Sequence, residues 1–80
     1  MFFVYVLKSN IDNRLYKGLT TNLERRLKEH NSGKTKSTKP YRPWLLVYHE
    51  KFDSFEKARN RELYFKSGFG REYLKALLDS

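Results

Sequence analysis

Five side chains in this sequence are of the types that act on a phosphodiester: Tyr5, Tyr16, Arg26, His30 and Glu62. A guanidinium grips phosphate oxygens in a two-pronged fork and stabilises the charge that develops on them during displacement. An imidazole takes or gives a proton near neutral pH. A phenol ionises near pH ~10 and needs cations close by to serve as a base at neutral pH. The chain has those cations, with 17 Lys and Arg against 9 Asp and Glu and a formal net charge of +8. A carboxylate completes the set, because magnesium binds through one carboxylate together with waters and a substrate phosphate.

Each residue also has a plainer reading. Arg26 falls on the leucine side of a helical stripe formed by Leu23, Arg26, Leu27 and His30. There it either meets a phosphate or runs along the surface with its charge in water. His30, one turn further on, is either a proton carrier or a structural histidine. Tyr5 and Tyr16 are either paired in one cleft or ordinary sheet aromatics. Glu62 is the oddest of the five, because it lies inside the apolar stripe of its helix with Phe55, Ala58 and Phe65. Burying an ionised carboxylate is costly unless something pairs with it. Either Glu62 is a divalent-metal ligand at the edge of the core, or it forms a structural salt bridge to Arg26 or another arginine.

The elements that must hold these residues follow from pattern. Phe2 to Leu7 is β-branched and aromatic and predicts a buried strand, with Phe3, Tyr5 and Leu7 on one face. A turn-rich stretch, Ser9 to Asn13, leads into a second strand from Arg14 to Leu19, which implies an antiparallel hairpin. Thr21 followed by Glu24 predicts a capping box and a helix from about Asn22, which Gly33 closes. Gly33 to Pro43 reads as a basic, mobile loop whose Lys34, Lys36, Lys39 and Arg42 suit phosphate contacts. Trp44 to Glu50 predicts a third strand. Asp53 with Glu56 predicts another capping pair, for a helix ending at Ser67 and Gly68 that carries Arg59 and Lys66 as further phosphate contacts. Gly70 or Arg71 opens a last helix. The fold class is α+β: a small three-stranded antiparallel sheet flanked by helices, in the order β-β-α-β-α-α.

Composition narrows the function. Eighty residues predict a single domain with a modest core, spanning positions 1–80. The absence of cysteine removes disulfides and thiolate zinc sites, and fits a cytoplasmic setting. The charge points to a polyanionic partner, with nucleic acid ahead of an anionic membrane. No apolar run approaches the ~20 residues of a membrane span. No heptad seam predicts an oligomer. There is no Gly-rich phosphate loop and no serine nucleophile motif.

Taken together these residues resemble a GIY-YIG nuclease domain. Phe3-Val4-Tyr5 stands at the first triplet and Tyr16-Lys17-Gly18 at the second. Leu19-Thr20-Thr21-Asn22-Leu23, Arg26, His30-Asn31 and Gly33 follow the family's helix, and Ala58 to Glu62 its metal-binding helix. The resemblance implies hydrolysis of DNA with one divalent metal, Mg²⁺ or Mn²⁺. Its members include homing and restriction endonucleases and the incision subunit of nucleotide excision repair. It further implies Tyr5 and Tyr16 as active-site tyrosines, Arg26 as the phosphate arginine, His30 near the attacking water and Glu62 as the metal ligand. The chain departs from the family at Phe3 and Lys17, and no asparagine follows Glu62. The expected activity is a DNA endonuclease of low sequence specificity, in repair or recombination, with RNA left open as a substrate. The alternative is a non-catalytic nucleic-acid-binding module on the same fold. A protein-interaction domain anchored by Trp44 or Tyr41 is a third, weaker reading.

Overall fold

Val4 to Leu7 is an unbroken apolar run, and a strand that is apolar on both sides belongs in the middle of a sheet covered on both faces. The computed structural model, which describes residues 1–79, has that arrangement. Strand β1 (Phe2–Ser9) lies between β2 (Leu15–Thr20) and β3 (Trp44–Phe52), and both neighbours run antiparallel to it. Helix α1 (Leu23–Ser32) covers one face, while α2 (Phe55–Lys66) and α3 (Gly68–Leu78) cover the other. Element order and sheet match the α+β arrangement expected from the pattern of the chain.

Alternation along β1 divides the core in two. Val4 and Val6 point to the α2–α3 side and pack with Ala58, Phe65 and Leu74. Tyr5 and Leu7 point to the α1 side and pack with Trp44, Tyr16, Leu23 and Leu27. The hairpin register sets Tyr5 opposite Gly18 and Leu7 opposite Tyr16.

The helix starts differ from those read in the sequence. Asn22, not Thr21, caps α1, its side chain accepting from the Arg25 amide at 3.0 Å. Thr20 Oγ1 accepts from the Asn22 amide at 3.1 Å, which turns the chain out of β2 and into the cap. Ser54, not Asp53, caps α2, and Asp53 instead pairs with Lys57. The third helix begins at Gly68 rather than Gly70 or Arg71. Ser67 closes α2 and opens α3: its hydroxyl donates to the Tyr64 carbonyl and accepts from the Gly70 amide. Gly70 has no room for a side chain, since a Cβ there would lie inside the Tyr64 carbonyl. Gly33, at φ 84°, ends α1 as expected.

The segment from Gly33 to Pro43 is tied down more firmly than its composition suggested. It contains a 3₁₀ turn (Lys39–Tyr41), and the buried indole of Trp44 donates to the Thr38 carbonyl at 2.9 Å. Trp44 is therefore a core residue and not a surface anchor, and Tyr41 is half-buried beneath the Arg14 guanidinium. Asn31, near the end of α1, clamps β3 through both faces of its amide: its oxygen accepts from the Trp44 amide at 2.6 Å and its nitrogen donates to the Trp44 carbonyl at 3.0 Å. Replacing Asn31 by Ala removes both partners at once. The expected cost is about 2 kcal/mol in urea unfolding, and a loss within error of zero would show that the clamp contributes nothing.

Candidate active site

The hairpin and α1 bring four of the five sequence-predicted residues to one place. The Tyr5 ring runs out from β1 across Gly18, which leaves space for it: a Cβ at Gly18 would collide with the Tyr5 hydroxyl and ring. Helical spacing turns Arg26 and His30 toward that hydroxyl. His30 Nε2 lies 3.0 Å from it, and Arg26 Nε donates to it at 3.3 Å. Tyr16, two residues from Gly18 on the same face of β2, sets its ring against His30 with centroids 4.9 Å apart. Its hydroxyl has no hydrogen-bond partner among the described residues, whereas that of Tyr5 has two.

Burial controls the charges here. His30 is fully buried. Burial, with the positive charge of Arg26 beside it, pushes the imidazole down to about 4, so it is neutral at physiological pH. Burial likewise pushes the Tyr5 phenol up to about 12, against the opposing hydrogen bond from Arg26. Burial also works against the charge on Arg26, but its hydrogen bonds to Tyr5 and Glu29 outweigh this and hold its pKa above the ordinary value. Tyr5 and His30 thus form a neutral, hydrogen-bonded pair under a fixed positive charge.

Glu62 comes from α2, in the opposite layer. It is 7% exposed and close enough for its charge to act on Tyr5. It does not pair with Arg26. Arg59, one turn before it, donates to one carboxylate oxygen at 2.6 Å, and Lys66, one turn after, to the other at 3.2 Å. These two residues, expected at the phosphate backbone, therefore hold the carboxylate. Among the described residues no three His, Asp or Glu side chains gather into a metal site. Glu62 nevertheless suits a divalent cation. Its two oxygens already gather positive charge, and both partners are long, half-exposed side chains that can swing away.

The remaining cations divide by position. Lys34, Lys36 and Lys39 are exposed. Arg42 is half-buried, with its Nε on the Lys39 carbonyl at 2.9 Å and its guanidinium over Gly33. Lys17 faces the α2–α3 layer, away from Tyr16, where burial and the nearby charges of Arg71 and Lys66 lower its pKa. Sequence reasoning missed Thr38, whose hydroxyl lies 2.8 Å from His30 Nδ1. A threonine in a Lys/Ser/Thr segment carries no periodic signal, and only the fold brings it to the ring.

A paired tyrosine hairpin, an inward arginine and histidine on the next helix, and a buried glutamate across the sheet make up the candidate site. Over residues 1–74 the chain matches the family model described as the GIY-YIG catalytic domain, and it belongs to that family of nucleases. Within the family it resembles UPF0213 proteins. One from Staphylococcus haemolyticus is 45% identical over 76 residues, covering 94% of this chain and 92% of that one. One from Clostridium perfringens is 46% identical over 67 residues, covering 82% and 71%. The solution NMR structure of a UPF0213 protein from Bacillus halodurans aligns with a TM-score of 0.58 at 38% identity, over 96% of this chain and 85% of that one.

Two outcomes follow from the buried pair. The folded protein keeps His30 neutral down to about pH 4, while the unfolded chain protonates it near 6.5. The unfolded state thus binds more protons in that window, and stability falls as pH drops through it, by about 3 kcal/mol in full. Urea unfolding of the wild type should show this loss and that of His30→Gln should lack it; equal slopes would contradict the assignment. Separately, Gly18→Ala should destabilise the fold by about 1–3 kcal/mol through overpacking against Tyr5, whereas a neutral effect would mean that the ring does not need the gap.

Proposed function

We propose that this protein is a metal-dependent endonuclease that hydrolyses DNA phosphodiesters to a 5′-phosphate and a 3′-hydroxyl. The observation that carries this reading is the Tyr5 hydroxyl, held between Arg26 Nε and His30 Nε2. A water oxygen attacks phosphorus and gives a proton to the Tyr5 oxygen as the Tyr5 proton moves to His30 Nε2. The P–O3′ bond breaks, and its electron pair leaves with the 3′-oxygen. Raised as it is, the Tyr5 phenol does not ionise in advance, and His30 is neutral; the negative charge of a bound phosphate would restore the basicity that burial and Arg26 lower. Arg26 lies beside the same hydroxyl and stabilises the charge that grows on the phosphoryl oxygens. The unpartnered hydroxyl of Tyr16 is free to orient water or a phosphate oxygen.

Glu62 would hold Mg²⁺ or Mn²⁺ once Arg59 and Lys66 release it. When bound, the cation supplies Lewis-acid stabilisation of the leaving oxygen. Lys34, Lys36, Lys39 and Arg42, together with the freed Arg59 and Lys66, would contact the phosphate backbone. Such contacts position a strand without reading its bases, so cleavage by this domain is of low sequence specificity and its binding weakens steeply with salt. The chain acts as one domain over residues 1–80, in the cytoplasm, in DNA repair or recombination. None of its described helices is long and apolar enough to cross a membrane.

One observation favours a second reading, a nucleic-acid-binding module that does not cut. Both oxygens of Glu62 are engaged by cations. A cleavage panel separates the two. Labelled duplex, single-stranded, nicked and branched DNA and RNA are incubated with Mg²⁺, Mn²⁺ or chelator. The nuclease reading expects metal-dependent product that Glu62→Ala and Arg26→Ala each reduce by about 100-fold or more. Binding without product in every metal would establish the module instead.

A further inference from the structure

Thr38 lies in the middle of the cationic loop, between Lys36 and Lys39, yet it is only 1% exposed. Its hydroxyl meets the His30 ring on the side opposite Tyr5. The directions of the hydrogen bonds can be assigned from one end of this chain of groups. The Tyr5 phenol has a single proton and two side-chain partners. Arg26 Nε can only donate, so the acceptor of that proton is His30 Nε2. Nε2 accepts only when it is bare, which places the proton of the neutral ring on Nδ1. Nδ1–H then donates to Thr38 Oγ1 at 2.8 Å, and the Thr38 hydroxyl sends its own proton to the Thr35 carbonyl at 3.3 Å. Every donor has an acceptor, and the chain runs one way: Arg26 to Tyr5, Tyr5 to His30, His30 to Thr38, Thr38 to Thr35.

We propose that Thr38 is a positioning residue that fixes His30 in the Nδ1–H tautomer and so makes Nε2 the acceptor of the Tyr5 proton. The proposal rests on the reading of Tyr5 and His30 as the pair that moves the proton. In the opposite tautomer an N–H would point at the Tyr5 hydroxyl, which already receives one from Arg26. Tyr5 would then have no protein acceptor for its proton, and the relay would be broken with every residue still in place. A tautomer matters only for a neutral ring, which is the state that burial enforces here.

The main chain of Thr38 is fixed as well, its amide bonded to the Thr35 carbonyl at 3.1 Å and its carbonyl to the Trp44 indole at 2.9 Å. The segment that presents Lys34, Lys36, Lys39 and Arg42 therefore also supplies the group that directs the His30 proton. Correct seating of the loop and correct protonation of the ring become one condition.

The test uses the full chain labelled with ¹⁵N. Two-bond ¹H–¹⁵N spectra at neutral pH distinguish a bare ring nitrogen from a protonated one, and His30→Gln identifies the His30 signals. In the wild type, Nε2 should read as bare and Nδ1 as protonated. Thr38→Val keeps the shape and removes the acceptor, so the ring should move to Nε2–H or to a mixture, while Thr38→Ser should restore Nδ1–H. With divalent metal and the DNA that the cleavage panel identifies, Thr38→Val should lower kcat by about tenfold or more and leave KM within about twofold, with Ser recovering most of the rate. A wild-type ring protonated on Nε2 overturns the proposal without any variant having to fold. So does a Thr38→Val protein, folded by its backbone spectrum, that keeps Nδ1–H. The spectra are read without turnover. If they behave as stated and no variant cuts any substrate, the tautomer assignment stands and the nuclease reading fails.

Discussion

The buried hydrogen bond between Tyr5 and His30 is the constraint around which the rest of the domain is arranged. Two polar aromatic side chains inside a small core lose their hydration, and each needs partners to offset that loss. Tyr5 reaches His30 only because Gly18 lies opposite it in the hairpin register. His30 meets Tyr5 only because α1 starts where Thr20 and Asn22 turn the chain. The far side of the ring is satisfied only because Trp44 pins the loop that carries Thr38. A strand, a glycine, a cap and a loop each serve one contact, so the fold and the site are the same set of requirements.

The charge of the protein works at two ranges. The formal net charge of +8 draws a polyanion toward the whole surface and carries little information about where it lands. Close to the site the charges are held in specific places. Arg26 is tied to Tyr5 and Glu29, Arg61 to Glu50, and Arg59 and Lys66 to Glu62. The Glu50 carboxylate also accepts from the Tyr48 hydroxyl, and the Arg61 guanidinium lies over the rings of Tyr64, Phe65 and Tyr73. That network fixes the helix on which Glu62 sits, one residue away from Arg61.

Much of this could be read in the chain before folding, for identifiable reasons. Arg26 and His30 share a face because helical spacing is a property of sequence alone. Glu62 stood out because a carboxylate in an apolar stripe demands an explanation. What the sequence could not supply were relations between segments distant along the chain. The sequence left the partner of Glu62 open between Arg26 and another arginine, and the fold selects Arg59 on the same helix, with Lys66 beside it. The caps were misplaced by a single residue at Thr21 and Asp53, since Thr, Asn, Asp and Ser are all competent caps and stand side by side at both starts. Trp44 looked available for a partner until the loop folded over it. Thr38 gave no signal at all, because its importance is its distance from a ring eight residues back.

The hydroxyl of Ser67, shared by the end of α2 and the start of α3, bears on where this domain can change in length. The hairpin turn, Asn10 to Asn13, lies at the surface, where extra residues cost little beyond loop entropy. The joint at Ser67 has no slack. One inserted residue would separate the two hydrogen bonds that its oxygen makes and lift Gly70 off the Tyr64 carbonyl. It would also rotate the following helix by about 100°, carrying Leu74 out of the core. Insertions and deletions among proteins of this shape should therefore collect at the hairpin turn, while the spacing from Glu62 to Leu74 stays constant.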